Sequence, residues 1–281
     1  MHDGTVHVRK NICHENSLSE MYSKDLRAKK NPSFDTIREL SVSYRKKYFS
    51  NVEISYNLKR GTKILDKEAE LYEYMLAYVK KHKAKLYESF DTIIHQLNNQ
   101  TINIIDWGCG QAVATSVLID YIKENKFNID ISNITLIEPS SLALSRGMLH
   151  IDVLKENEIE VKPINKDIDS LDESDLVINN TNTTLHLFSN ILDMEAFKLD
   201  KLFLEKIFNS QNSLNYFVCI SPNINDKAND RLDMFYRYFN DNFETDLISK
   251  RNDEIYTGCT RYEIIFFSLI ENPMNLSSMV A

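Results

Sequence analysis

The chain has 281 residues, 43% of them hydrophobic and 26% charged, with a formal net charge of −8. This is a globular composition with enough apolar material for a core, in one large domain or two small ones. The four cysteines (Cys13, Cys109, Cys219 and Cys259) form no CxxC pair, which disfavours a structural zinc site or a thioredoxin-like motif. The longest apolar runs, such as YEIIFFSLI, reach about half of the ~20 residues a membrane span needs.

In chain order, residues 1–30 are rich in His, Asn, Ser and Lys without a clear period, and predict a flexible arm. The polar start shows no signal peptide, so a cytoplasmic protein with reduced thiols is expected, free of membrane contact. His2, His7, Cys13 and His14 match no metal-ligand spacing, and no metal is expected. Residues 31–100 predict a mostly helical, basic region. Phe34, Ile37, Leu40 and Val42 fall at roughly helical spacing after Ser33, a plausible N-cap. LKRGTKI breaks the pattern at Gly61, and a long stretch through Leu71, Met75, Tyr78, Val79, Leu86, Phe90 and Ile94 resumes it.

From residue 101 the tempo changes to alternating strands and helices. INIIDWG is a continuous apolar run, read as a buried parallel strand. AVATSVLIDYIKEN predicts a helix, ITLIEPS a strand, and SLALSRGMLHIDVLKEN a helix begun by Ser140 or Ser141. EVKPIN and SDLVINN predict the next two strands. After the segment TNTTLHLFSNILD come a helix (MEAFKLDKLFLEKIF), a strand (LNYFVCIS) and a helix (DRLDMFYRYFND). FETDLIS and RYEIIFFSLI are close enough to pair as antiparallel strands. The expected fold is α/β: a doubly wound, mainly parallel sheet with an antiparallel C-terminal strand, over residues 101–281, preceded by the helical region.

In such a sheet the ligand crevice lies at the carboxyl ends of the strands. After the first strand stand Asp106, Gly108, Gly110 and Gln111, a glycine turn leading into a helix N-terminus. After the second stands Glu138, able to accept both hydroxyls of a ribose; after the third stands Asp167, able to accept an adenine amine. Three acids at three neighbouring strand ends suit an adenosine bearing a cation better than a pyrophosphate. A dinucleotide fingerprint would place Gly or Ala where Val113 stands.

Residues 101–270 resemble the class I S-adenosylmethionine-dependent methyltransferases, whose acid-x-Gly-x-Gly motif reads DWGCG here. The resemblance implies S-adenosylmethionine as cofactor. Asp106 would lie near its methionine end, and Glu138 and Asp167 would take ribose and adenine. Gly108, Cys109 and Gly110 would bring backbone against it. It also implies an acceptor site beyond the fourth strand, in LVINNTNTTLHLFSNILDM, where Asn179 and Asn180 would orient the acceptor. His186 is there either a base or a structural group, and Asp193 an N-cap. The segment lacks the Asn- or Asp-Pro-Pro-Tyr or -Phe and the Pro-Cys of enzymes that methylate amino groups or cytosine C5, which disfavours both.

Residues 1–100 hold 18 Lys+Arg against 13 Asp+Glu, whereas residues 101–281 hold 15 against 28. The basic part faces an acidic partner, or the two parts attract one another. Within residues 44–63, six basic residues are interleaved with Tyr44, Tyr48, Phe49 and Tyr56. Lys46, Lys47, Lys59 and Arg60 are the candidate contacts to RNA or a nucleoprotein; a solvated helix face is the other reading. Two functions stay open: methyl transfer, with RNA or nucleoprotein favoured over a small molecule, or a methyltransferase-fold interaction protein without catalysis.

Overall fold

The computed structural model describes residues 9–51, 58, 59, 61–155 and 159–270. Four helices come first: α1 (Arg9–Arg27), α2 (Phe34–Tyr48), α3 (Glu68–Ala77) and α4 (Val79–Leu97). β1 (Thr101–Trp107), α5 (Val113–Asn125), β2 (Asp130–Ile137), α6 (Ser141–Leu154) and β3 (Glu160–Ile164) follow. The chain continues through α7 (Glu173–Leu176), β4 (Thr183–Ser189), α8 (Lys201–Ser210), β5 (Ser213–Ser221) and α9 (Asp226–Asn242). It closes with β6 (Glu244–Tyr256) and β7 (Cys259–Ile270).

Among the described residues, seven strands form one sheet in the order β3-β2-β1-β4-β5-β7-β6. β1 to β5 run parallel, and β7 is antiparallel to both β5 and β6. The order reverses between β1 and β4, which opens a crevice at the carboxyl ends of these strands. Strand order and polarity are those of the class I methyltransferase fold, and the chain has that fold.

Alternate residues of the central strands feed two cores, the reason these strands read as unbroken apolar runs. Ile102, Ile104, Ile134 and Leu185 pack under α4, α5 and α6, whereas Ile105, Trp107, Ile137 and Phe188 pack under α8 and α9. The N-terminal helices join the first of these cores through Tyr22, Phe34, Phe90 and Ile94. Ser33 caps α2, accepting from the Thr36 amide at 3.2 Å, and Ser140 caps α6, accepting from Ala143 at 3.0 Å.

Two expectations need correction. The described part of the expected flexible arm is helical and packed: α1 carries Leu18, Tyr22 and Leu26 at four-residue spacing into the core, and residues 1–8 lie outside the described residues. The Tyr22 hydroxyl bonds Ser41 at 2.8 Å and His150 at 3.2 Å. The fourth strand is not SDLVINN. Asp172 and Asp175 form a capping box that turns Glu173–Leu176 into a helix. The strand instead begins at the β-branched pair Thr183–Thr184.

Candidate functional site

The turn after β1 is built from left-handed residues: Gly108 at φ 60°, Gly110 at 54° and Ala112 at 56°. A Cβ on Gly108 would lie 2.7 Å from Ile191 Cδ1, so this glycine lets the turn pack on the loop after β4. A Cβ on Gly110 would meet nothing within 4 Å, because Gly110 borders open space. Gly147 of α6 serves the same turn from behind, where a Cβ would sit 3.0 Å from the Ala112 backbone nitrogen.

Glu138 stitches the crevice together. Its Oε2 accepts from the Gly110 amide at 3.0 Å and its Oε1 from the Ser140 amide at 2.8 Å. It is buried, and burial pushes its carboxyl up while the two amides pull it down. Asp106 is also buried, and its Oδ2 accepts from Thr115 N at 3.2 Å and Thr115 Oγ1 at 2.7 Å. Burial pushes Asp106 up to about 7; the Thr115 hydrogen bonds oppose this, and the Glu138 charge adds to it. Asp167 is exposed at the rim, where its Oδ1 caps the short 3-10 helix at Ser170 at 2.9 Å.

These elements enclose a cavity of about 230 Å³. Gly108, Gly110, Glu138 and Asp167 line it, with Ile137, Ala143, Ile168 and Phe197 as apolar walls. Gln111 lines it too; its side chain donates to Leu71 O at 3.1 Å, and its Oε1 has no partner among the described residues. The strap from Gly61 to Leu65 forms the outer wall. It is pinned by Lys63, bonded to Asp66 and Glu70, and by Ser140 Oγ, which donates to Leu65 O.

A second cavity of about 630 Å³ adjoins the first and shares Gly61, Thr62, Tyr74, Asn190, Met194 and Ala196 with it. Its own lining includes Tyr78, His82, Lys85 and Asp193. Asn190, left-handed at φ 59° directly after β4, accepts a hydrogen bond from the buried Lys85 ammonium.

The structure therefore brings together Gly108, Gly110, Glu138 and Asp167, and separates other candidates from them. Cys109 is buried outside the cavity lining, and its amide donates to Ile137 O at 2.9 Å, so its part is to anchor the turn to β2. Asp106 sits behind the turn and holds α5 rather than lining the cavity. Asn179 and Asn180 precede β4 and so lie toward the amino ends of the strands, opposite the crevice. Asn180 instead accepts from Asn103 at 2.8 Å.

His186 is fully buried within β4. It lies parallel to Phe217 at 4.5 Å, accepts from Trp107 Nε1 at 3.3 Å, and pairs with Asn215 Oδ1 at 3.1 Å. Burial pushes it down to about 4, so it is a neutral core group and not a base at the site. Trp107 packs beside it and against Phe188 at 5.1 Å. Asp193 caps no helix; it accepts from Ser221 Oγ at 2.7 Å, and Asp200 caps α8.

Among the proposed basic contacts, Lys59 lines the second cavity. Lys46 and Lys47 belong to a separate depression on α2, and Arg60 and Tyr56 lie outside the described residues. Tyr74, Lys85 and Asn190 were missed. Asn190 does stand in the expected acceptor segment, but the misplaced fourth strand hid it. His2 and His7 lie outside the described residues, and no helix among those described is long and apolar enough to cross a membrane.

No protein-family model and no curated protein sequence matches the chain. Solved structures do. One is a candidate class I S-adenosylmethionine-dependent methyltransferase of Listeria monocytogenes, at 14% identity over 94% of this chain and 84% of that one, with a TM-score of 0.49. Another is the plantazolicin methyltransferase BpumL in complex with SAH, at 10% identity, 90% and 99% coverage and a TM-score of 0.43. A third is a candidate rRNA methylase of Clostridium thermocellum, at 12% identity, 67% and 97% coverage and a TM-score of 0.46. Likeness at this level carries no weight for function, which has to come from the site itself.

Proposed function

We propose that the chain binds S-adenosylmethionine in the first cavity and transfers its methyl group to an acceptor in the second. The observation that carries this reading is the junction of the two cavities across Tyr74 and Asn190, beneath a glycine turn flanked by Glu138 and Asp167. When bound, the cofactor supplies an already activated methyl group. The chain's own residues bind, orient and exclude water.

Glu138 keeps lone pairs free beyond its two amide bonds, enough to accept ribose hydroxyls, while those amides fix its rotamer. Asp167 has its Oδ2 for an exocyclic amine, and Ile137 and Ile168 offer apolar faces to a ring. Gln111 Oε1, buried and unpartnered among the described residues, suits the ammonium of an amino acid moiety. The strap Gly61–Leu65 walls the cavity on its outer side.

RNA is the acceptor class we favour. Lys59 and Lys81, both exposed, stand on the lining of the second cavity, where phosphates flanking an inserted base would lie. The test is transfer of a labelled methyl group from S-adenosylmethionine into purified RNA at increasing salt, with Lys59→Ala and Lys81→Ala. RNA affinity should fall with salt and with each substitution. Salt-independent labelling of protein or metabolite pools would refute the RNA assignment. Cofactor binding without transfer to any pool would favour the non-catalytic interaction protein.

A further inference from the structure

Lys85 has no part in the methyl-transfer reading above, although it is a deeply buried charged side chain at the junction. It lies on α4, 2% exposed, and its Nζ donates to Asn190 Oδ1, an atom of the residue common to both cavities. An ammonium has three protons to donate. Asn190 accepts one, and among the described residues no second hydrogen-bond acceptor for Nζ is found.

Beside it stands an aromatic wall. Tyr74 and Tyr78 lie 5.4 Å apart, and His82 stacks on Tyr78 at 6.3 Å with an interplanar angle of 21°. The Tyr74 hydroxyl meets His82 Nδ1 at 3.4 Å. All three line the second cavity. Lys81 and Lys85 are one helical turn apart on the same face of α4.

We propose that Lys85 is the catalytic base of this site, acting on a planar acceptor ring that bears an acidic N–H or O–H and stacks against Tyr74, Tyr78 and His82. The proposal rests on the methyl-transfer reading of the two cavities and names the chemistry its acceptor must have. The neutral amine of Lys85 takes the proton: the acceptor's N–H or O–H bond breaks, and a new N–H bond forms on Nζ. The bonding pair stays on the acceptor atom, which is then the nucleophile. Asn190 fixes Nζ, and the proton later leaves to water through the open side of the cavity.

The surroundings make the neutral amine accessible. Burial pushes Lys85 down to about 8, and Lys81 works in the same direction, while Asp193 and Cys259 oppose them. A base of that strength is well matched to neutral solution. His82, on the same helix, is held neutral by burial and by the Lys85 charge. Glu195, from the loop after β4, is exposed at the edge of the cavity. Tyr74 and Tyr78 are pushed up and remain protonated, so neither competes as a base.

The test uses 4-nitrophenol, a planar acid whose phenolate absorbs where the phenol does not. The wild-type protein and Lys85→Met are mixed with it below the pH at which the free compound ionises, with and without SAH. Wild type should bind it with the phenolate spectrum. Lys85→Met should bind it as the phenol, and Tyr78→Ala should bind it several-fold more weakly. A measurement on the wild type alone guards against a misfolded variant: acetylation of Lys85, followed by mass spectrometry, should be suppressed by bound 4-nitrophenol. No binding at millimolar concentration, one spectrum for wild type and Lys85→Met, or unprotected Lys85 would overturn the proposal. The spectral change does not need the cofactor. Failure of SAH to bind would therefore count against the cofactor reading separately.

Discussion

The two glycines of the turn after β1 make different contributions, and replacing each by alanine separates them. In Gly108→Ala the new Cβ lies 2.7 Å from Ile191 Cδ1 and 3.0 Å from Cγ1, on a residue at φ 60°. A left-handed non-glycine residue costs about 1–2 kcal/mol, and overpacking adds about 1–3 kcal/mol. At roughly 2–4 °C per kcal/mol, melting should fall on the order of 10 °C. Gly110→Ala, at φ 54° with nothing within 4 Å of its Cβ, meets only the backbone penalty of about 1–2 kcal/mol. Its Cβ projects into the cofactor cavity and should weaken SAH binding. Ile191→Ala removes both clashing carbons and leaves Cβ at the ordinary distance of 3.6 Å. The double variant Gly108→Ala/Ile191→Ala should therefore recover about 1–3 kcal/mol relative to additivity. Urea or thermal unfolding of the wild type and the four variants, with calorimetric titration of SAH, provides the assay. Additive losses, or equal destabilisation by Gly108→Ala and Gly110→Ala, would refute the assignment of packing to one glycine and space to the other.

Other outcomes follow from the same geometry. His186→Ala leaves Trp107 Nε1 and Asn215 Oδ1 without their partner, at about 1–3 kcal/mol each, and should lower stability without changing SAH affinity measured on the folded protein. Arg146 and Glu68 form a buried pair at 2.7 Å that ties α6 to α3. Arg146→Met should cost about 3–5 kcal/mol in denaturant unfolding, and the double variant with Glu68→Leu clearly less; equal losses would contradict the pairing. Asp106 is raised in the folded state to about 7, against about 3.9 unfolded. Its contribution to stability is therefore present below about pH 4 and is lost as pH rises towards 7, on the order of 3–4 kcal/mol relative to Asp106→Asn. Urea unfolding of the wild type and Asp106→Asn, from below about pH 4 to above about pH 7, should show this difference, and parallel profiles would contradict it.

The elements around the first cavity could be read from sequence because their signals are local. An apolar strand, a glycine turn, a capped helix and an acid at each strand end all lie within a few residues of one another, as in DWGCG and IEPSS. The acceptor side could not be read in this way. Its fourth strand lies beyond an Asn-rich segment, where Asp172 and Asp175 make a helical turn out of residues that also suit a strand. Placing the strand too early put Asn179 at the crevice and Asn190 out of view. Lys85 and Tyr74 reach the site only because α3 and α4 fold back over it, and no spacing announces such a long-range contact. α1 is an intermediate case. Leu18, Tyr22 and Leu26 do form a stripe, but the polar composition around them concealed it. His186 lay between two leucines, and its burial with Trp107 and Phe217 follows from that strand pattern.

If the cavity bounded by Gly110, Glu138 and Asp167 seats S-adenosylmethionine, its demethylated product SAH binds there too. Calorimetric titration of the full chain with SAH, repeated with Glu138→Ala, tests it most directly. Glu138 accepts two backbone amides besides any ligand hydroxyl, and hydrogen bonds to a charged group are worth about 1.5–3 kcal/mol each. Saturable one-to-one binding by the wild type is expected, with a loss on the order of a hundredfold or more in Glu138→Ala. Absence of binding at millimolar SAH, or equal affinity in the two proteins, would contradict it.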